Sequence, residues 1–454
     1  MFVLSPRARL LGIALALPCV PVGVGAQLPM PPSEASAEPA PPLTDAAERV
    51  YAAARPSLLQ IRTLVEEAGR QSSIGSGFLV DPAGFAITNY HVVSQYVLEP
   101  ATYRLEYVQP DGSTGALAVQ AIDVANDLAV VRIEGTNLPH LAFDASATDG
   151  SLARGERIYA MGNPLDIGFT IVEGNWNGLV DRSYNDRVHF TGAINPGMSG
   201  GPAVTAAGTV VGVNVAKRLD GDLVSFLVPA SKALALLERA RTEPALDPTQ
   251  ARTEIDHQLL AWQDGFQHAL LEQGLRPKRF GPYEAPETDA PWFNCWARTN
   301  AEQTPKPRAR MNGSTCNSQS GLFVAEDIGS GEAELTHYHL RSDGLNAFQL
   351  AAFMSQYYAS TTMAGSWSRK RHTPPECHEA FVAPADAERA PPLRAVWCAR
   401  AYRDFDGLYD IALTTVTQDR DDEALVSRLA LQGVSYDNAL AFARRFIEGI
   451  AWAR

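Results

Sequence analysis

Between residue 57 and about residue 236, short apolar runs rich in β-branched side chains alternate with clusters of Gly, Asn, Asp and Pro. Runs at 59–63, 77–80, 128–133, 158–161 and 210–215 are each long enough for a strand and too short for a helix. Helical periodicity stays weak until 229–239. Many short strands separated by turn residues confine this stretch to a barrel or sandwich, and roughly 180 residues give room for two small barrels.

The whole chain has 454 residues, too many for one ordinary core, so two or three domains are expected. At 46% hydrophobic and 20% charged, the composition is that of a globular protein. A formal charge of −13 argues against a broad nucleic-acid-binding surface and against attraction to anionic membranes. Arg7 and Arg9 precede an apolar run over 10–24, interrupted by Pro18 and Pro21, and the small residues Val24, Gly25 and Ala26 follow. That pattern predicts a signal peptide over 1–26, export to the periplasm or beyond, and no stable membrane span after cleavage. A retained anchor is the rival, disfavoured by the short, proline-broken run. A lipid attachment at Cys19 is disfavoured by Pro18 before it. Residues 27–44, rich in Pro, Ala and Glu, predict an extended linker. A short helix is expected from Asp45, with Thr44 as N-cap and Pro56 beyond its end.

After the β-rich stretch, residues 241–285 read as a linker and a helix. Leu259, Leu260, Trp262, Phe266, Leu270 and Leu271 approximate the helical period over about 251–274. The remainder, 286–454, reads as an α+β module with an internal duplication, 286–365 and 366–454. Cys295 to Cys316 and Cys377 to Cys398 have the same spacing, and each pair is followed by strand-like runs and an apolar helix, at 346–358 and 436–450. Four cysteines in an exported chain predict disulfides, and a duplication favours the pairs Cys295–Cys316 and Cys377–Cys398. Zinc would need closer cysteine pairs. Trp292, Trp296, Trp367 and Trp397 lie near or between these cysteines and are expected to pack around the bridges.

Three segments carry chemistry. Residues 74–80 and 88–93 form an apolar strand, a turn at 81–84 and a second strand ending in His91, a side chain suited to act as a base near neutral pH. Asp127 stands immediately before the apolar run 128–133, placed to accept an imidazole N–H and fix its tautomer; Asp123 is the rival. The most specific segment is Asn195-Pro196-Gly197-Met198-Ser199-Gly200-Gly201-Pro202. Serine needs a base and a place for the developing oxyanion. The surrounding glycines allow a tight turn, and the N–H groups of Gly197 and Ser199 are the candidate oxyanion hole.

His, Asp and Ser in that order within one β-rich stretch resemble the trypsin/chymotrypsin-like serine peptidases, with the bacterial HtrA (Deg) type nearest in its motifs. The matching pieces are Gly75-Ser76-Gly77-Phe78, Thr88-Asn89-Tyr90-His91-Val92-Val93, Asp127-Leu128-Ala129-Val130, Gly162-Asn163-Pro164 and Gly197-Met198-Ser199-Gly200-Gly201-Pro202. The resemblance implies an all-β protease domain of two six-stranded barrels over about 45–240. His91 is then the base, Asp127 its partner and Ser199 the nucleophile, with envelope protein quality control as the implied role. Two departures stand out. HtrA proteins usually carry Asn where this chain has Met198, and no PDZ-like carboxylate-binding loop is recognisable after Leu236. By the same resemblance Ala193 lies at the base of the pocket for the scissile residue, where trypsins place aspartate. The strand Val213-Asn214-Val215 forms a pocket wall and pairs with substrate backbone. A small or medium aliphatic scissile residue is therefore expected.

The sequence thus predicts an exported serine endopeptidase acting on polypeptides, with no cofactor and no metal required by its chemistry. His337 and His339 read as alternating strand residues, not as a ligand pair. The alternatives are a catalytically inactive protease fold used for binding or sensing, and an esterase. For the esterase, Gly197-Met198-Ser199-Gly200-Gly201 fits the short nucleophile pattern, but the chain order does not.

Overall fold

The computed structural model describes residues 45–217, 223–359, 363, 365 and 367–454. The expected signal peptide, Cys19, the linker and the Thr44 cap lie outside the described residues.

Helix α1 (Asp45–Ala54) buries Ala47, Val50 and Ala54, one stripe of its surface, and gives way to a 3-10 turn containing Pro56. The first β unit follows: β1 (Leu58–Val65), β2 (Arg70–Leu79), β3 (Phe85–Thr88), helix α2 (Tyr90–Leu98), β4 (Tyr103–Val108), β5 (Thr114–Ala116), β6 (Ala118–Asp123) and β7 (Leu128–Arg132). Its strands are ordered β5-β4-β1-β2-β3-β7-β6. The resemblance implied six strands in a barrel; the sheet has seven. Its two edge strands are not paired with each other, yet only Leu117 separates them in the chain. The sheet therefore curls until its edges meet through covalent backbone. β7 shows why the sequence run is continuously apolar: Ala129 and Val131 face one core, Leu128 and Val130 the other.

Short α3 (Ala145–Thr148) leads to a closed six-stranded barrel. It is built from β8 (Arg157–Gly162), β9 (Thr170–Leu179), β10 (Val188–Thr191), β11 (Pro202–Thr205), β12 (Val210–Lys217) and β13 (Val224–Pro229), in the order β10-β13-β12-β11-β8-β9. Helices α4 (Ala230–Thr242) and α5 (Ala251–Gln273) carry the chain across the first unit. α5 buries Ala251, Ile255, Leu259, Phe266 and Leu270, serving two cores in succession.

The stretch read as linker and helix also contains strands. β14 (Leu275–Phe280) and β15 (Tyr283–Thr288) pair as a hairpin, and β15 then pairs with the terminal β25 (Ala451–Trp452). The rest of the C-terminal half comprises β16 (Phe293–Thr299), β17 (Ala309–Ser318), β18 (Leu322–Ala325), β19 (Ile328–Ser330), β20 (Ala333–Ser342), α6 (Ala347–Ala359), β21 (Glu376–Val382), β22 (Leu393–Ala401), β23 (Leu408–Thr417), β24 (Glu423–Ser435) and α7 (Tyr436–Glu448). Seven of these strands form one sheet, β16-β17-β20-β24-β23-β22-β21. Each edge is a cysteine hairpin: Cys295 faces and bridges Cys316, and Cys377 faces and bridges Cys398. One difference breaks the mirror. After the second hairpin the next strand, β23, stays in the sheet. After the first, β18 leaves it and pairs only with β19.

That detached hairpin packs on the first β unit. Leu322, Val324, Ala325 and Ile328 share a core with Tyr90, Val92, Val93 and Val97 of α2 and with Val124. Arg371 locks the contact, reaching Asp404 at 2.8 Å, Asp327 in the hairpin turn at 3.1 Å and Glu99 at the end of α2 at 3.3 Å. The barrel makes a second anchor. Tyr184, between β9 and β10, lies edge-on to Phe266, Trp262 and Trp292 at 4.9, 5.4 and 5.4 Å, and Trp262 Nε1 donates to Asn185 Oδ1 at 2.8 Å. Of the tryptophans expected around the bridges, Trp296 and Trp367 are exposed, because an edge strand and a surface loop carry them.

Candidate active site

β3 ends at Thr88, and His91 lies in the first turn of α2, not at the end of a strand as the sequence suggested. The turn matters because it brings both the backbone and the ring of His91 to one carboxylate. Asp127 Oδ1 accepts the His91 backbone N–H at 2.9 Å, and Oδ2 lies 2.7 Å from ring Nδ1. Asp127 adopts a left-handed backbone, φ 57°, immediately before β7, a conformation that aspartate tolerates better than most residues. Asn89 Nδ2 holds its carbonyl at 2.7 Å. The rival carboxylate, Asp123, is engaged in its own turn by the backbone and side chain of Asn126. Burial pulls the His91 pKa down, but the adjacent Asp127 charge and its hydrogen bond outweigh that and hold it above the ordinary histidine value.

Ser199 comes from the loop between β10 and β11. The carbonyls from Pro196 to Ser199 are all engaged. Pro196 O accepts from Leu165 N at 2.9 Å, Gly197 O from Ser76 Oγ at 2.7 Å, Met198 O from Gly201 N at 3.0 Å and Ser199 O from Ser76 N at 2.8 Å. Gly197, at φ 93°, and Gly200, at φ 82°, permit these orientations. Among the described residues, the N–H groups of Gly197 and Ser199 have no acceptor. Two unpaired donors two residues apart in a glycine turn form a nest that can receive an anionic oxygen.

The Ser199 hydroxyl donates to Val215 O at 3.4 Å, and no hydrogen bond joins it to His91. Loose contacts of this kind are common before substrate arrives. Ala193 is exposed. Val213 and Asn214 are placed differently from expectation. The Val213 side chain is fully buried and its strand is paired on both sides, with Pro202 and with Val228. The Asn214 backbone holds Gly200 N and Gly201 O at 2.8 and 2.9 Å, and its side chain holds Met161 O. Both residues support the nucleophile loop, and of the three only Val215 is left at the cleft.

Two residues were given no role by the sequence, although Ser76 stood in one of its motifs. Ser76 joins the two halves: its N–H and hydroxyl hold the nucleophile loop, its Oγ also accepts Asn163 N at 2.9 Å, and its carbonyl accepts Thr88 Oγ1 at 2.7 Å. The signal was a serine inside a buried, glycine-flanked strand. The other is Phe323 of β18, whose ring centroid lies 5.8 Å from that of His91, edge-on at 69°. Nothing in its local sequence marks it.

Paired β units, with a histidine–aspartate pair on one and a glycine-bound serine on the other, define a chymotrypsin-like peptidase fold. More particularly, residues 75–213 match the family model described as the trypsin-like peptidase domain. The putative serine protease HhoB of Synechocystis is 35% identical over 187 residues, covering 39% of this chain and 42% of its own length. A probable periplasmic serine endoprotease, DegP-like, of Chlamydia pneumoniae is 37% identical over 147 residues, covering 31% of this chain and 28% of its own. The chain thus spans less than half the length of these curated relatives. Solved structures of the serine endoprotease from Yersinia pestis and of Deg5 align with TM-scores of 0.38 and 0.39. Both are 23% identical and cover 44% and 46% of this chain and 68% and 100% of theirs. This part of the chain is a trypsin-like peptidase domain whose curated homologues are HtrA/DegP serine proteases.

Proposed function

We propose that the protein is an exported serine endopeptidase that hydrolyses peptide bonds through an acyl-enzyme intermediate. The observation that carries this reading is the 2.7 Å contact between His91 Nδ1 and Asp127 Oδ2, which leaves Nε2 as the basic nitrogen. In the proposed cycle, the Ser199 hydroxyl turns from Val215 O to His91 Nε2 and loses its proton to it as Oγ attacks the scissile carbonyl. The resulting oxyanion sits on the N–H groups of Gly197 and Ser199. The imidazolium, stabilised by Asp127, protonates the leaving amine. Water then repeats the sequence and frees the acid. Ala193 is the proposed pocket floor and Val215 the proposed contact for substrate backbone, favouring a small or medium aliphatic scissile residue.

The proposed domain limits are 45–240 for the peptidase, 241–285 for the connection and 286–454 for a duplicated disulfide module. The mirrored cysteine hairpins support the duplication. A periplasmic location is supported by the DegP-like relatives, which are named as periplasmic, and envelope protein quality control is proposed with it from the HtrA resemblance. No helix among the described residues is long and apolar enough to cross a membrane.

The test is labelling of the purified protein with a fluorophosphonate probe, beside Ser199→Ala, followed by casein digestion. Labelling that requires Ser199, with cleavage of casein, is the expected result. A folded protein that neither labels nor cleaves would overturn the proposal in favour of an inactive scaffold.

A further inference from the structure

β18 places its side chains on alternate faces. Leu322 and Val324 point into the core shared with α2. Phe323, between them, points the other way and is 36% exposed. Its ring meets the edges of His91 and Tyr90 at 5.8 and 6.3 Å. An isolated exposed phenylalanine needs no explanation by itself. This one stands beside the candidate base, on a strand that has left its own sheet, and three contacts fix its position. Tyr90 Oη donates to Val324 O at 2.9 Å, Arg371 holds Asp327 in the hairpin turn, and Tyr402 Oη donates to Gly329 O at 2.9 Å. The His91 side chain keeps 27% of its surface open, so the phenyl ring borders the imidazole without sealing it.

The geometry points to Phe323 as a specificity-determining residue: the C-terminal module supplies one wall of the substrate cleft, and that wall takes an apolar side chain. This inference rests on the peptidase reading. A substrate extended past Val215 directs its scissile side chain toward Ala193. The side chain of the preceding residue then points to the opposite wall, because successive residues of an extended chain alternate. That wall is the α2 surface carrying His91, and Phe323 lies against it. An aliphatic or aromatic side chain there is removed from water between two ring edges. A polar or absent one gains nothing from the contact. The module is then part of the active site itself, and the substrates selected are those with a bulky apolar residue immediately before the scissile one.

The experiment uses the full chain and a peptide series differing only at that position, with Gly, Ala, Val, Leu and Phe. The wild type should gain about 10- to 100-fold in kcat/KM from Gly to Leu, mainly through KM. Phe323→Ala should flatten the series to within about threefold, and Phe323→Leu should restore most of the preference. Phe323→Ala should stay folded and still label at Ser199, since the probe places no side chain against this wall, with a modest fall in thermal midpoint for the ring packing given up. A variant that keeps the wild-type preference would overturn the assignment. So would a wild type that shows no preference while still labelling and cleaving, which leaves the peptidase reading intact. Loss of labelling in Phe323→Ala would make the residue a support for His91 and end its role in specificity. A wild type that never labels at Ser199 sinks the peptidase reading and this inference together.

Discussion

The phenol of Tyr90 donates a hydrogen bond of 2.9 Å to the carbonyl of Val324, 234 residues further along the chain. The residue next to the candidate base is thereby tied to the C-terminal half. Burial first, and then the nearby Asp127 charge, push the Tyr90 pKa above the usual tyrosine value, so the phenol keeps its proton and remains a donor at neutral pH.

Arg371 is the larger element of the same attachment, with only 8% of its side chain exposed and three carboxylates around it. Removing it loosens three partly exposed carboxylates, although Lys370 still pairs with Glu99 and Arg252 lies 3.8 Å from Asp404. Arg371→Ala should therefore cost about 1–3 kcal/mol in denaturant unfolding, in the range for lost hydrogen bonds to charged groups. Hydrogen exchange should speed up over 322–330 while the barrel from β8 to β13 stays protected. Unchanged exchange in the hairpin would show that packing alone holds it.

Asp127→Asn should lower kcat by about 10⁴-fold with the fold intact. The pH profile gives the sharper reading. His91 must be neutral to accept a proton, and its pKa is held up by Asp127 against the opposing effect of burial. Wild-type activity should therefore rise with pH through a midpoint above about 6.5, the ordinary histidine value. In the variant the attraction is gone and burial remains, so the acid limb of the residual activity should move to lower pH. An acid limb that does not move would mean that the pair does not set the titration.

Gly200 and Gly208 have nearly the same backbone, φ 82° and 84°. A β-carbon at Gly200 would collide with Ser76 O and Thr88 Oγ1, whereas at Gly208 nothing lies within 4 Å. Both alanine variants should lose about 1–2 kcal/mol to the left-handed conformation. Only Gly200→Ala should also lose labelling at Ser199, by about 10²-fold or more, since it displaces the loop whose N–H groups are free. Equal labelling rates in the two variants would contradict the assigned role of that loop.

The bridges Cys295–Cys316 and Cys377–Cys398 each span a sequence separation of 21. In the chain-entropy account, a loop of this size contributes about 3 kcal/mol. Replacing one pair with serine should lower stability by about that amount in calorimetry. Labelling of Ser199 should be retained wherever the fold survives, because both bridges lie at sheet edges away from the cleft. Reduction of the wild type opens both bridges and should cost about twice as much, about 6 kcal/mol, and should leave the chain with all four bridging cysteines replaced unaffected.

The barrel strands, the order His91, Asp127, Ser199 and the cysteine spacing could be read because each is a local or periodic signal. Helix α2 could not. Tyr90, Val92, Val93, Ser94, Val97 and Leu98 are all buried, so the polar face shrinks to His91, Ser94 and Gln95 within nine residues, and the β-branched residues continue the look of the preceding strand. Val213 and Asn214 were assigned to the substrate because they belong to the correct strand. Only tertiary pairing shows that their backbone groups are already taken, one register short of Val215. Phe323 had no signal at all. Its placement depends on β18 leaving a sheet, which is decided by the fit of Leu322 and Val324 against α2 and by no pattern within β18.

The first β unit and the C-terminal half bury one continuous core, running from Leu59 and Val131 through Leu322 and Val324 to Phe405 and Leu408. Exchange of accessory modules by recombination therefore has no clean seam here. A graft at residues 241–250 would strip the α2 face of its cover, and the recipient would have to carry complementary changes at Tyr90, Val93, Val97 and Val124. The two halves are constrained to diverge together, so substitutions in Leu322 or Val324 should be matched across this seam before they are matched within the module's own sheet.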